Sequence, residues 1–370
     1  MAKNKQMKKL FRSISFFITL FLALSLLVAA ATAYISPLKL KIFTLVGFGF
    51  SALWITNLIN LVWQAIRKRW WLFISLGVLI LTINHWNNTF QMFSKKTKNE
   101  YEIKNRLKIL SYNVHMFDYY GGSGSNETPD NFYDFVLTQD PDIICFQEFY
   151  SNVTKPKHTP SYIMSRFKQY SYKHIQYFRA SHSGSGMATF SKYPFADKGE
   201  IRFEQSRNMS IYTDINLSGT IVRVINCHLH TTGIIADDID AIDNLDFRMD
   251  DIQKRKLKRI TSKLNKSAAI RAKQAEIIAE HIKNSPYPVI VCGDFNDTPV
   301  SYVYRTVRGN LKDAFRGSRT GFGGTYNGKL PSFRIDYILF SPQFESYNFT
   351  KFNFGFSDHF PIMTTIELNN

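Results

Sequence analysis

Three long stretches without a charged residue dominate the first hundred positions: between Arg12 and Lys39, between Lys41 and Arg67, and between Arg69 and Lys95. Each is at least as long as the roughly 20 apolar residues that a helix needs to cross a bilayer. A backbone in lipid must satisfy its own hydrogen bonds, and a helix does so within one segment. The pattern predicts a membrane anchor over residues 1–94 with about three transmembrane helices, near 13–34, 42–66 and 70–92. Ser36-Pro37 marks the first turn and Arg67-Lys68-Arg69 the second. Asn57, Asn60, Asn84 and His85 fall at membrane depth or near its edge. They are read as helix–helix hydrogen-bonding or interface residues rather than a transport path.

Charge supports the same division. The chain carries 46 Lys+Arg against 29 Asp+Glu, a net +17. Its first hundred residues hold 13 of those bases and a single acid, Glu100, leaving 33 bases and 28 acids over the other 270. Basicity therefore belongs mainly to the anchor, and the high pI is a weak argument for nucleic acid. Lys3, Lys5, Lys8, Lys9 and Arg12 precede the first run, which favours a cytoplasmic N-terminus. Three crossings then put the rest of the chain on the extracytoplasmic side, although Lys95, Lys96 and Lys98 run against that bias. A rival possibility is a cleaved signal peptide, with Ala31-Thr32-Ala33 as the cleavage site.

After a linker at 95–106, the texture changes to short apolar runs separated by turns. Strands are expected at 107–112, 143–146, 187–191, 211–215, 221–227, 289–292 and 337–340. Helices are expected at 131–138 and 270–283, the second stopped by Pro286 and Pro288. Strands interleaved with helices indicate an α/β layered domain over 107–370. Cys145, Cys227 and Cys292 all lie in apolar runs and read as small buried residues. Residues 237–266 open acidic and turn basic, as a solvated helix or mobile loop does, or a basic helix on anionic headgroups.

Polar groups recur where the expected strands end. Asn113, Gln147 with Glu148, His228, Asp294 with Asn296, Asp336, and Asp358 with His359 occupy six such places. One polar strand end is ordinary turn chemistry, and a lone histidine is more often structural. Six together, rich in carboxylates and amides and free of thiolates, suit a hard cation such as Mg²⁺ or Mn²⁺ beside a phosphate.

The blocks Ile109-Leu110-Ser111-Tyr112-Asn113, Phe146-Gln147-Glu148, Asn226-Cys227-His228-Leu229, Gly293-Asp294-Phe295-Asn296, Arg334-Ile335-Asp336-Tyr337 and Ser357-Asp358-His359 resemble the endonuclease/exonuclease/phosphatase superfamily, in that family's order. The resemblance implies a four-layer sandwich of two mixed β-sheets with outer helices. It implies Glu148 as principal Mg²⁺ ligand, helped by Asn113 and Asp358. By the same resemblance Asp294 orients or deprotonates water and Asn296 holds the phosphate. His228 and His359 contact phosphate oxygens or move protons, and Asp336 orients one of them. The implied activity is hydrolysis of a phosphodiester or phosphomonoester. The sequence departs from the family's deoxyribonuclease pattern in one respect: residues 149–191 contain no carboxylate to orient a histidine. That stretch is basic instead, so Lys173 and Arg179, with Asn226, are the candidate substrate contacts, a plain solvated surface being the alternative. Tethering to a lipid bilayer suits a phospholipid headgroup, but it equally suits a surface nuclease. The competing class is a catalytically inactive binding module of the same fold. The glycine-rich turns at 184–186 and 321–324 lack the lysine and hydroxyl of a phosphate loop and are read as structural.

Overall fold

A computed structural model describes residues 2–40, 43–93, 97–119, 128–179, 183–204, 206, 208–234, 236–244, 250–316, 320–328 and 332–368. The charge-free runs fold as helices α1 (Ala2–Ala31), α2 (Phe43–Phe48), α3 (Phe50–Ile66) and α4 (Leu72–Thr89). The expected three spans need correction. Among the described residues only Lys5–Ala31, 27 residues at mean hydropathy 2.5, is long and apolar enough to cross a membrane. The second run is interrupted at Gly49, which leaves the 17-residue α3. The third ends in Asn84, His85, Asn87 and Asn88, which are uncharged but strongly polar.

The bundle is polar inside. Asn60 donates to Thr19 Oγ1 (3.1 Å) and Ser75 Oγ (2.9 Å), Gln64 to Ser15 Oγ (3.0 Å), and Trp71 Nε1 to Gln64 Oε1 (2.9 Å). Phe17, Phe21, Ile59, Val62, Ile80 and Leu81 face outward and are exposed. The amides at 57 and 60 thus join helices, as expected.

A short strand β1 (Phe90–Gln91) leads into the second unit, which runs β2 (Arg106–Asn113), α5 (Pro129–Thr138), β3 (Ile143–Ser151), α6 (Pro160–Arg166), β4 (Tyr172–Tyr177), β5 (Gly184–Ser191), β6 (Phe195–Arg202), β7 (Met209–Leu217) and β8 (Thr220–His228). It continues through α7 (Ala236–Asp243), α8 (Asp251–Lys283), β9 (Val289–Asp294), α9 (Tyr302–Arg308), β10 (Lys312–Asp313), β11 (Gly321–Phe322), β12 (Asp336–Phe340), β13 (Glu345–Lys351) and β14 (Ile362–Glu367). Among the described residues two six-stranded mixed sheets form, ordered β13-β14-β2-β3-β5-β4 and β10-β12-β9-β8-β7-β6, beside a two-stranded pairing of β1 with β11.

Leu107, Ile109, Ile143 and Cys145 of the first sheet meet Val222, Val224, Ile290 and Cys292 of the second in the central core. The alternate residues Leu110, Tyr112, Ile144 and Phe146 pack outward against Phe132, Val136 and Phe167. On the other side, Ile225, Cys227 and Val291 pack against Ala275, Ile278, Val303 and Val307. Strands buried on both faces read as unbroken apolar runs, which is why the central ones were visible in the sequence. The three cysteines are buried and unpaired. Of the strands longer than two residues, β4, β6, β13 and β14 were not expected: β4, β6 and β13 lie at sheet edges, where charged and polar residues blunt the pattern, and β14 lies inside its sheet but carries Thr364, Thr365 and Glu367 in its run.

Most of the 237–266 segment is helical: it supplies α7 and the first half of α8, with residues 245–249 outside the described ones. An Asp250–Gln253 capping box starts α8. Buried Asp238 accepts from Arg259 and Lys263, both at 2.7 Å, holding α7 to α8.

At the sheet edges, His174 Nδ1 of β4 lies 3.0 Å from Thr213 Oγ1 of β7, across the two sheets. Burial, aided by Lys198, pushes His174 down to about 4. A depressed histidine favours the neutral folded form, so stability is full above the unfolded value near 6.5 and falls as pH drops toward 4. Between pH 7 and 5 this one group should cost about 2 kcal/mol. Urea unfolding of the wild type and His174→Gln at both pH values measures it. Equal pH dependence in the two proteins would refute the assignment.

Candidate active site

Parallel pairing brings the chemistry to one edge. Strands β2 and β3 run parallel with Asn113 level with Gln147, and β8 and β9 run parallel with His228 level with Asp294. Antiparallel β12 starts at Asp336, opposite Asp294. His359 lies just before β14, whose Ile362 pairs with Ser111. All these ends fall at the same end of the sandwich. Gly293 makes the approach of β8 and β9 possible: its φ is 135°, and a Cβ there would sit 2.0 Å from the Cys227 carbonyl oxygen. Glu148 sits at an irregularity in the β3–β5 pairing with φ 50°, left-handed for a non-glycine residue. Such bulges re-aim a side chain, and strained backbone is common at sites.

Asn113 Nδ2 donates to Asp294 Oδ2 (3.1 Å) and Glu148 Oε1 (3.3 Å), so one amide joins the carboxylates of both sheets. Asn296 holds Asp294 twice, through its backbone N–H (2.7 Å) and its Nδ2 (2.9 Å). His359 Nδ1 lies 3.0 Å from Asp336 Oδ2, while its Nε2 faces Asp294 Oδ2 at 3.7 Å. His228 Nε2 faces Glu148 at 3.5 Å and Asp294 at 3.8 Å. Asp294, Asp336 and His359 are buried and present ligand atoms within 4.8 Å of one another, a group able to hold a metal ion.

Residues 110–359 match the endonuclease/exonuclease/phosphatase family, well over half the chain. The chain belongs to that family. Residues 8–89 match a second family, described only as a domain of unknown function. No curated protein matches the chain. Among solved structures, the endonuclease/exonuclease/phosphatase from Beutenbergia cavernae DSM 12333 superposes on 72% of this chain and 72% of its own, at 17% identity and TM-score 0.50. The family protein from Bacteroides thetaiotaomicron covers 72% of this chain and 98% of its own at 19% identity, TM-score 0.50. That from Bacteroides vulgatus covers 71% and 99% at 17% identity, TM-score 0.50. These likenesses show the fold. Members of the family are hydrolases, nucleases and phosphatases among them, and commonly use divalent metals.

Within this family fold the protonation states of the site are pushed apart. Burial pushes Asp294 up to about 7, with nearby Asp336 adding to it and His359 opposing. Burial alone would lower His359, but Asp336 and Asp294 outweigh it and hold the ring well above its ordinary value. Burial, with His359 adding repulsion, lowers His228 against the pull of Glu148. One imidazole is therefore cationic and the other neutral near pH 7. A cation also fits the site at Glu148, a partly exposed carboxylate beside the Asn113 amide and Asp294.

Of the expected site residues, Asn113, Glu148, His228, Asp294, Asn296, Asp336 and His359 come together. Asp358 lies at the rim, its Oδ1 3.8 Å from His115 Nδ1. Asn226 does not reach the opening. It is fully buried, donating to the carbonyls of Phe146 (3.1 Å) and Ala188 (3.0 Å) and accepting from Gln147 Nε2 (2.7 Å). Arg179 is exposed just beyond the site end of β4. Lys173 pairs with Phe190 at the far end of that strand, about 13 Å from Tyr177. The glycines read as structural are so: a Cβ at Gly186 would lie 2.2 Å from the Gln176 carbonyl oxygen.

The sequence did not point to Asn208. Its Nδ2 lies 3.4 Å from the His228 ring and donates to Leu229 O at 3.2 Å. An amide thus stands against His228, and it lies outside 149–191, the stretch where the deoxyribonuclease pattern has its histidine-orienting carboxylate. Nothing in its spacing marks it, since it precedes β7 in an irregular segment. Asn208→Ala should leave the fold intact and lower kcat about tenfold through loss of ring orientation. Steady-state kinetics tests this; an unchanged kcat would show that Asn208 has no positioning role.

Proposed function

We propose that the chain is a membrane-attached, Mg²⁺-dependent phosphodiesterase acting on the phosphodiester of a nucleic acid or a phospholipid headgroup. The observation that carries this is the convergence of Asn113, Glu148, His228, Asp294, Asp336 and His359 at one end of two sheets. Glu148 and Asn113, with Asp294 or Asp358, supply an oxygen-rich set for Mg²⁺ or Mn²⁺. When bound, that ion neutralises phosphate charge. Asp294, with a pKa of about 7, is poised to take a proton from the attacking water at neutral pH. His359, held by Asp336, points Nε2–H at a phosphoryl oxygen and stabilises the charge that develops there. Neutral His228 offers a second N–H. Asn296 acts by fixing the Asp294 carboxylate.

Membrane attachment is our reading of α1, whose Phe17 and Phe21 are exposed and whose basic N-terminal end favours the cytoplasm. One crossing puts the catalytic domain on the extracytoplasmic side. The alternative cleavage motif, Ala31-Thr32-Ala33, is packed: Thr32 Oγ1 donates to Val300 O at 3.2 Å, and Ala33 is buried. That favours an anchor over a removed leader.

The full chain in detergent, assayed on bis-(p-nitrophenyl) phosphate, an oligonucleotide and phospholipid vesicles, should hydrolyse at least one with Mg²⁺ and none with EDTA. Glu148→Ala and His359→Ala should each reduce the rate by about 10²–10³. Activity that survives EDTA, or that neither substitution lowers, rejects the mechanism. Silence on all three substrates transfers the chain to the class of displayed binding modules.

A further inference from the structure

A cavity of about 690 Å³ lies where the ends of α1 and α4 meet α9. Tyr34 and His85 line it from the helical unit, and Arg305, Arg308 and Arg316 from the catalytic domain. No Asp or Glu is among its described lining residues. Two carboxylates touch that lining from behind, and both are occupied. Asp313 takes two hydrogen bonds from Arg334, at 3.1 and 2.8 Å, and one from Tyr304 Oη at 2.7 Å. Glu276 accepts from Tyr302 Oη at 2.8 Å.

The three arginines are left to the cavity. The Arg305 guanidinium stacks over the Tyr34 ring, 4.3 Å from its centre. Arg308 donates Nε–H to Leu311 O at 3.2 Å, and its remaining donors have no protein acceptor among the described residues. Arg316 is half-buried with no side-chain hydrogen bond or ion pair among the described residues. Burial, and after it the charge of Arg308, holds Arg316 below its ordinary value. Converging guanidinium groups repel one another, Asp313 offsets this for Arg316 only in part, and an oxyanion removes the rest. The planar fork of arginine matches phosphate in particular.

We propose that this cavity binds a phosphate-bearing anion, held by Arg308 and Arg316 with Arg305 at its mouth, which braces the helical unit against the catalytic domain. None of these residues belongs to the catalytic cluster, so the site is separate from the hydrolytic one. The cavity volume suits a small headgroup or a free phosphate ester. It also lies at the polar ends of the apolar helices, where the headgroups of a membrane holding α1 would be found. The same chemistry serves both sources.

The test uses the full chain in a nonionic detergent and follows thermal unfolding as ligand is added. The probes are dioctanoyl phosphatidic acid, dioctanoyl phosphatidylcholine as a control without net charge, and inorganic phosphate. Wild type and Glu148→Ala should be stabilised alike by the phosphatidic acid, which separates this site from the catalytic one. In Arg308→Gln/Arg316→Gln the apparent affinity should fall at least about tenfold. Stabilisation by inorganic phosphate at the same concentrations assigns a free phosphate; stabilisation by phosphatidic acid alone assigns a headgroup. Should the double variant fail to fold, Arg316→Gln must weaken binding and Arg316→Lys must largely keep it. No shift with either anion, or a shift that the substitutions leave unchanged, overturns the proposal.

Discussion

The site is assembled from two sheets, so its geometry depends on what fixes their relative position. Apolar packing between the sheets holds them together but is non-directional. Direction comes from Asn226, whose side chain leaves β8 and bonds to Phe146 O of β3, Ala188 O of β5 and the Gln147 amide. Three buried hydrogen bonds from one side chain tie the strand that ends in His228 to the strand that carries Glu148. Asn113 repeats the tie at the mouth, joining Glu148 to Asp294. A slip between the sheets would leave several buried polar groups unpaired, each at about 1–3 kcal/mol. The active-site register is therefore enforced by the cost of breaking polar bridges.

The same burial sets the electrostatics. Asp294 and His359 are almost fully inaccessible, and low local polarity raises the proton affinity of the carboxylate. Unopposed, it would also strip the proton from His359; Asp336 prevents that. No buried carboxylate lies as close to His228 as Asp336 does to His359: Asp294 is 3.8 Å away and the partly exposed Glu148 3.5 Å, so burial prevails and the ring stays neutral. The difference between the two histidines follows from which one is backed by a buried anion, a distinction of neighbours rather than of residue type.

That distinction marks how far the sequence could be read. The carboxylates at strand ends announced themselves because central strands are apolar on both faces and their polar ends stand out. Edge strands such as β6, with Asp197, Lys198 and Glu200 in its run, did not. The anchor misled because a run can lack charge and still be too polar to span: Asn84, His85 and Asn88 count as uncharged, and only the fold shows them lining a cavity against the second unit. Asn226 was legible as a site residue, but its role was not. A buried amide that bridges sheets and an exposed one that contacts substrate have the same local sequence context. The left-handed backbone at Glu148 was likewise hidden, since no glycine or asparagine occupies it.

The helical unit and the catalytic domain are joined by more than proximity. Arg334, two residues before Asp336, donates to the Asn88 carbonyl at the end of α4 (2.7 Å) while its guanidinium grips buried Asp313. Phe90 of β1 pairs with Phe322 of β11, and the chain that follows bonds Thr325 Oγ1 to the N–H groups of Ile335 and Asp336. Tyr326 then sets its ring edge-on against His359, with centroids 5.8 Å apart. Displacing α4 would strip an acceptor from a buried arginine and pull on the segment that holds the Asp336–His359 pair. A buried donor left without its acceptor costs about 1–3 kcal/mol, more than a surface contact contributes. The helices are thus part of what holds His359 in place.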